Sequence, residues 1–405
     1  MRNAIVTQSK QILLAEWART AKTTALQELL AAASRPGITS FALGLPATDL
    51  FSIEMYKQAA ADVLGSNRRS LQYGPPPRQL KKHIVGLMAE LGVECDEEQV
   101  FLTAGAQQGI SLLTRLLLSP SGGSVMVEEM AYPGFLQAIE PYRPAILPVA
   151  TNPETGVDLE AIEVSLSNGR RPAFMYIVAN GHNPLGVTLS AAKRGELAAL
   201  ARRYCTPIVE DDPYGFLYYD GQRRPPLRAF DDQWVIYTGT FSKILAPSLR
   251  VGWIIAPVDL IEKLSIVKEA SDINTATFAQ HMVCHYLDSG RLPAHLNHLR
   301  QEYRLRRDLM LQAMQKHFPA KAQWRKPTGG IFIWVELPPD IDAGELLKTA
   351  IEIERVAFIP GQAFDSGNQC AGKNCFRLNF SFCSAKEIED GVARLGRVLR
   401  NAVRE

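Results

Sequence analysis

None of the six cysteines, Cys95, Cys205, Cys284, Cys370, Cys375 and Cys383, stands in a C-x-x-C spacing, so zinc-ribbon and dithiol redox readings lack support. Reduced thiols are the expectation, and with them a cytoplasmic location. No apolar run approaches the roughly 18 residues that a membrane span needs, so no membrane partner is expected. The opening segment is broken by Lys10, Glu16, Arg19 and Lys22 and lacks the apolar core of a secretory leader, so none is expected. An excess of one charge is missing too, since 44 Lys and Arg against 42 Asp and Glu leave +2. That balance gives no whole-chain field to attract nucleic acid or an anionic membrane. With 46% hydrophobic residues and so little net charge, disorder is disfavoured. There is no internal repeat, no G-x-G-x-x-G fingerprint and no Walker loop, so NAD and P-loop chemistry are not favoured.

What is present is a chain of 405 residues, long enough for two or three domains at about 150 residues each. Five short apolar runs read as buried strands: Val125–Glu128, Phe174–Val178, Pro207–Glu210, Val235–Thr238 and Val251–Ala256. Helical stretches such as Ser190–Tyr204 separate several of them. This alternation predicts an α/β fold with a mostly parallel sheet covered on both faces. From Leu13 to Ala33 the apolar spacing predicts one or two N-terminal helices. Beyond about residue 295 a long charged helix, His295–Phe318, leads into strand, helix, strand, strand, helix, the order of a smaller α+β domain.

Ligands of parallel sheets sit at the carboxyl ends of the strands, and polar residues gather there. Lys243 follows the fourth run in TGTFSKILAPSLRVGW, between the hydroxyls of Thr240 and Ser242 and the guanidinium of Arg250. A lysine in a partly dry site can lose its proton and act as a nucleophilic amine, and hydroxyls beside an arginine suit a phosphate. Asp211 and Asp212 follow the third run, in VEDDPYGF. They fit either a surface turn or one carboxylate turned into the crevice with Tyr214 beside it. After the second run, ANGHNPLG places Asn183 at the same rim. TAGAQQGIS opens a helix whose first N–H groups, at Ala106 and Gln107, could meet a phosphate.

A lysine able to form a Schiff base, a buried carboxylate, a phosphate cup and a phenol are what pyridoxal phosphate needs. The order Tyr132, N-G-H-N-P-L-G, D-D-P-Y, T-F-S-K and L-R-V-G-W resembles the fold type I pyridoxal-phosphate enzymes, class I/II aminotransferases, of the 2-aminoadipate, kynurenine and aromatic branch. The spacings are 28 residues from Asn183 to Asp211, 32 on to Lys243 and 7 on to Arg250. The resemblance implies a large cofactor domain with a seven-stranded sheet over residues 51–295. It also implies a small α+β domain over 296–405, joined by residues 1–50.

The resemblance also implies roles. Lys243 carries the Schiff base and moves the Cα proton, Asp211 pairs with the pyridine nitrogen, and Tyr214 and Asn183 bond the ring's phenolic oxygen. Tyr132 stacks on the ring. Ala106, Gln107, Thr240, Ser242 and Arg250 hold the phosphate, with Tyr73 reaching it from a partner subunit of a homodimer. Arg377, in FRLNF, grips the substrate carboxylate, helped by Gly44 and Asn183. The implied reaction moves an amino group between an L-amino acid and a 2-oxo acid.

The sequence departs from the family's N-P-T-G turn, with His182 before Asn183 and Leu185 in place of threonine. Those departures motivate an alternative on the same cofactor: elimination, cyclisation or oxidation of an amino acid. His281, Cys284 and His285 share a helical stretch, with His281 and His285 at i, i+4, but no glutamate follows His281 and no third ligand beyond Cys284 is evident, so no metal is expected. Cys370 and Cys375 read as loop thiols, and Arg304–Arg307 as the solvated face of a helix.

Overall fold

The computed structural model describes residues 16–20, 35–119, 121–221, 223–367 and 371–403. All five apolar runs become strands of one seven-stranded sheet. Its members are β1 (Val100–Thr103), β2 (Ser124–Glu128), β3 (Ala145–Val149), β4 (Phe174–Ile177), β5 (Ile208–Asp211), β6 (Val235–Thr240) and β7 (Gly252–Ile255). Their order in space is β1-β7-β6-β5-β4-β2-β3. Pairings from β6 through to β3 are parallel, and β7 runs antiparallel to both its neighbours.

The two-residue period of a strand sorts its side chains onto two cores. Val125, Val127 and Tyr176 point into one, with Phe135 and Ile110. Met126, Met175 and Ile177 point into the other, with Ile162 and Leu197. Because helices cover both faces, β4 and β5 are buried at every position and show no polar alternation.

A second, antiparallel sheet orders β8 (Gln323–Trp324), β9 (Phe332–Glu336), β11 (Cys375–Asn379) and β10 (Ile359–Pro360). The helices Leu292–His317 and Ala385–Ala402 pack along each other, the second started by a capping box between Ser384 and Glu387. Thr39–Ser40 pairs in parallel with Val356–Ala357, tying an early segment to the C-terminal part. The expected helices over Leu13–Ala33 fall largely outside the described residues, of which Glu16–Thr20 is helical. No described helix is long and apolar enough to cross a membrane.

Two sequence expectations change. Arg306 and Arg307 are buried rather than solvated. Arg306 donates to Asp49 at 2.6 Å and to the Ser381 carbonyl at 2.7 Å, and Arg307 to Asp220 at 2.5 Å with its guanidinium over the Tyr219 ring. A basic run satisfies its burial by such pairing, which composition alone does not reveal. Cys375 is a buried residue of β11, not a loop thiol, and Cys370 lies outside the described residues. His281, Cys284 and His285 share the helix Thr277–Asp288, where His281 faces Asn67 and His285 faces Asp62. Cys284 instead meets Asp288, which is 2.7 Å from His83.

Candidate active site

The carboxyl ends of β4, β5 and β6 meet the N-terminus of the helix Ala106–Leu117 and the edge of the second sheet around one cavity of about 370 Å³. Of the thirteen residues singled out from the sequence, all but Tyr73 line it. Tyr73 is exposed on this chain and stands outside the cavity.

Lys243 sits in the short turn after β6, and its Nζ donates to the Gly44 carbonyl at 2.7 Å. Burial, then the nearby charges of Arg377 and Arg250, push its amine down to about 8, against the pull of Asp211. Both acids at the end of β5 are buried, which resolves the two readings of that turn. Asp211 accepts from the Tyr176 hydroxyl at 2.6 Å and from Thr238 at 3.1 Å. Burial raises its carboxyl to about 6, and those two hydrogen bonds hold it from going higher. Asp212 lines no part of the cavity and bonds Asn180 at 3.0 Å and Tyr237 at 3.1 Å.

At the other end, Gly105 precedes the helix with φ +82°, and a Cβ there would stand 2.5 Å from Arg250 Nη2. Glycine is therefore what lets the guanidinium lie across the helix N-terminus. Arg250 is held by the Ala104 carbonyl at 2.9 Å and by Ser242 Oγ at 3.4 Å, and Thr240 donates to Ser242 at 2.9 Å. Helix N–H groups, two hydroxyls and a guanidinium make a site for a dianionic phosphate.

Arg377, on β11, is buried and lies 4.0 Å from the Phe332 ring centroid and 5.0 Å from that of Phe364. Its Nη1 donates to Asn183 Oδ1 and its Nη2 to the Ala42 carbonyl, both at 2.5 Å. His182 lies outside the cavity, behind Asn183. Tyr176, Thr238, Gly105, Phe332 and Phe364 serve the site but were not foreseen. Tyr176 and Thr238 sit inside buried strand runs, where only the alternation toward the cavity side could have pointed to them.

A buried amine, a buried carboxylate held as an acceptor and a separate anion cup fit the aldehyde, ring nitrogen and phosphate of one group. Fold and site together thus define a pyridoxal-phosphate enzyme of fold type I. The chain belongs to the aminotransferase class I and II family, whose description matches residues 38–395. It is 34% identical to an aromatic-amino-acid aminotransferase of Thermococcus litoralis, over 95% of this chain and 93% of that protein. It is 35% identical to a 2-aminoadipate transaminase of Thermus thermophilus, over 93% of each. The solved Pyrococcus horikoshii kynurenine aminotransferase superposes with a TM-score of 0.91 at 34% identity, covering 97% of this chain and 98% of that one. The chain is a pyridoxal-phosphate-dependent transaminase acting between an L-amino acid and a 2-oxo acid.

Proposed function

We propose that Lys243, Asp211 and Tyr214 carry the amino transfer, with Arg377, Asn183 and Gly44 taking the substrate's α-carboxylate. The observation that carries this reading is the meeting, in one cavity, of a lysine amine with a pKa near 8, a buried carboxylate and two guanidinium groups at separate ends. Bound pyridoxal phosphate supplies an electron sink for the bonds at the substrate's Cα. Asp211 serves as counter-charge to the pyridine nitrogen, and Tyr214 and Asn183 as partners of the ring's oxygen. Tyr132 lies against the ring, and Ala106, Gln107, Thr240, Ser242 and Arg250 take the phosphate. Lys243 Nζ would accept the Cα proton and deliver it to the cofactor's former aldehyde carbon, so that the nitrogen stays with the cofactor and the substrate leaves as a 2-oxo acid. The walls left over, Leu43, Leu45, Phe332 and Ile359, are apolar and support an amino acid with a neutral side chain.

The test is the half-reaction. Holoenzyme mixed with one amino acid at a time should convert to the amine form of the cofactor, read by absorbance, with one equivalent of the matching 2-oxo acid by mass. Phenylalanine and leucine should react faster than glutamate. Recovery of the aldehyde form with an eliminated or cyclised product would sink the assignment and favour the alternative.

The active unit in this reading is a homodimer. Leu71 and Tyr73 are 72% and 73% exposed on adjoining backbone, a surface that a partner would cover while Tyr73 reached its phosphate. Light scattering that finds only monomer at micromolar concentration would count against it. We place the division between the large and small domains at the turn 289–291. That turn lies four residues before the boundary expected at residue 295, which falls in the first turn of the helix Leu292–His317. Five described cysteines without disulfides support the cytoplasm as its compartment.

A further inference from the structure

Glu128 and His182 are 2% and 1% exposed, yet neither lines the cavity. Their side chains approach to 3.1 Å, from His182 Nε2 to Glu128 Oε2. The angle is poor for a hydrogen bond, so the attraction is mainly electrostatic. Burying two ionisable groups costs more than burying an apolar pair of the same size, and their location shows what they do there.

His182 closes the turn that presents Asn183. Its main-chain N–H donates to the Val187 carbonyl at 2.8 Å, and its carbonyl accepts from Gly186 at 2.6 Å. Nδ1 accepts the Leu185 N–H at 3.3 Å, so the neutral ring carries its proton on Nε2, the atom facing Glu128. Glu128 ends β2, four residues before Tyr132. Its Oε2 also accepts the Val178 N–H, just past β4, at 3.2 Å, and its Oε1 has no partner among the described residues. One carboxylate thus gathers the end of β4 and the Asn183 turn onto the end of β2.

The contacts continue through the substrate site and return. Asn183 holds Arg377, Arg377 lies against Phe364, and the Phe364 carbonyl accepts the Ala131 N–H at 2.8 Å. Ser366 Oγ then donates to the Glu128 carbonyl at 3.0 Å. We propose that Glu128 and His182 are positioning residues for the transamination. They fix Asn183 where it can serve the cofactor ring and Arg377 together. The inference rests on the roles given above to Asn183 and Arg377.

Three variants of the holoenzyme test it: His182→Ala, His182→Gln and Glu128→Gln. The readouts are calorimetric Kd for an unreactive carboxylate, 3-phenylpropanoate, KM and kcat separately, the pH midpoint of the bound cofactor's absorbance, and Tm. His182→Ala should raise the analogue's Kd and the KM for both substrates about tenfold, the scale of the charge-assisted hydrogen bond from Arg377 to Asn183 that loses its support. It should also move the absorbance midpoint by about half a pH unit, as Asn183 leaves the ring oxygen. Glu128 also acts on the ionisable groups of Tyr176 and Lys193, and neither is altered in any of the three variants.

His182→Gln, which keeps a donor and an acceptor, should recover most of the analogue's affinity. Glu128→Gln should weaken the analogue's binding less than His182→Ala does. A lowered Tm with unchanged Kd and unchanged midpoint would overturn the proposal, leaving the pair a purely structural one. If His182→Ala does not fold, unchanged Kd and midpoint in Glu128→Gln would overturn it equally. Asn183→Ala is the control. If it leaves Kd and midpoint unmoved, the role of Asn183 falls and takes this proposal with it. If it moves them while the three variants do not, only the proposal falls.

Discussion

Replacing Lys243 with alanine is expected to leave a chain that binds pyridoxal phosphate reversibly and gains no cofactor mass after borohydride reduction. Turnover should fall by about 10²–10⁴-fold from the lost proton transfer alone, with the lost covalent attachment in addition. The same amine offers a pH test in the unaltered chain. Its pKa lies near 8 because burial and two neighbouring guanidinium groups disfavour the charged form. Only the neutral amine is nucleophilic, so the apo chain should take up the cofactor faster as pH rises through about 8 and then level off. A borohydride-stable adduct on the alanine variant, or an uptake rate flat between about pH 7 and 9, would refute the assignment of Lys243.

Asp211→Asn is expected to cost nearly as much by a different route. The carboxylate is buried and made an acceptor by Tyr176 and Thr238. Removing one partner of a buried charged pair costs about 3–5 kcal/mol. If all of it appears in the barrier, kcat/KM falls by about two to four decades. The cofactor should still attach, because Lys243 and the phosphate cup are untouched, so a normal reduced adduct with little turnover is the diagnostic pattern. Tyr176→Phe removes one hydrogen bond and should cost about 1–2 kcal/mol, roughly one decade. An Asp211→Asn enzyme within tenfold of the parent would refute the counter-charge role.

The strand ends were legible because two physical signals coincide there. A buried run has to be apolar, and the polar residue that breaks it marks the rim where ligands sit. That is why Asp211, Thr240, Ser242 and Lys243 could be picked out. Arg377 needed the family resemblance, since it reaches Asn183 across 194 residues of chain and no local pattern records that distance. Tyr176 stayed hidden because a tyrosine in FMYI reads as one more buried aromatic. Arg306 and Arg307 misled for the opposite reason, since hydropathy registers their charge but not the acceptors folded against them. His182 drew attention only as a departure from a familiar turn, and its partner Glu128 was not foreseen at all.

The packing of Arg377 has a thermodynamic side. An arginine on an open surface can sample many rotamers and must surrender roughly 2 kcal/mol of that freedom whenever it grips a ligand. Here two aromatic rings, Asn183 and a main-chain carbonyl already fix the guanidinium. The entropy of ordering it was therefore lost once, when the chain folded, and in the carboxylate-binding role proposed for Arg377 it is not lost again with each substrate. In that role the guanidinium meets an α-carboxylate in each half-reaction, so the effect recurs twice in every cycle.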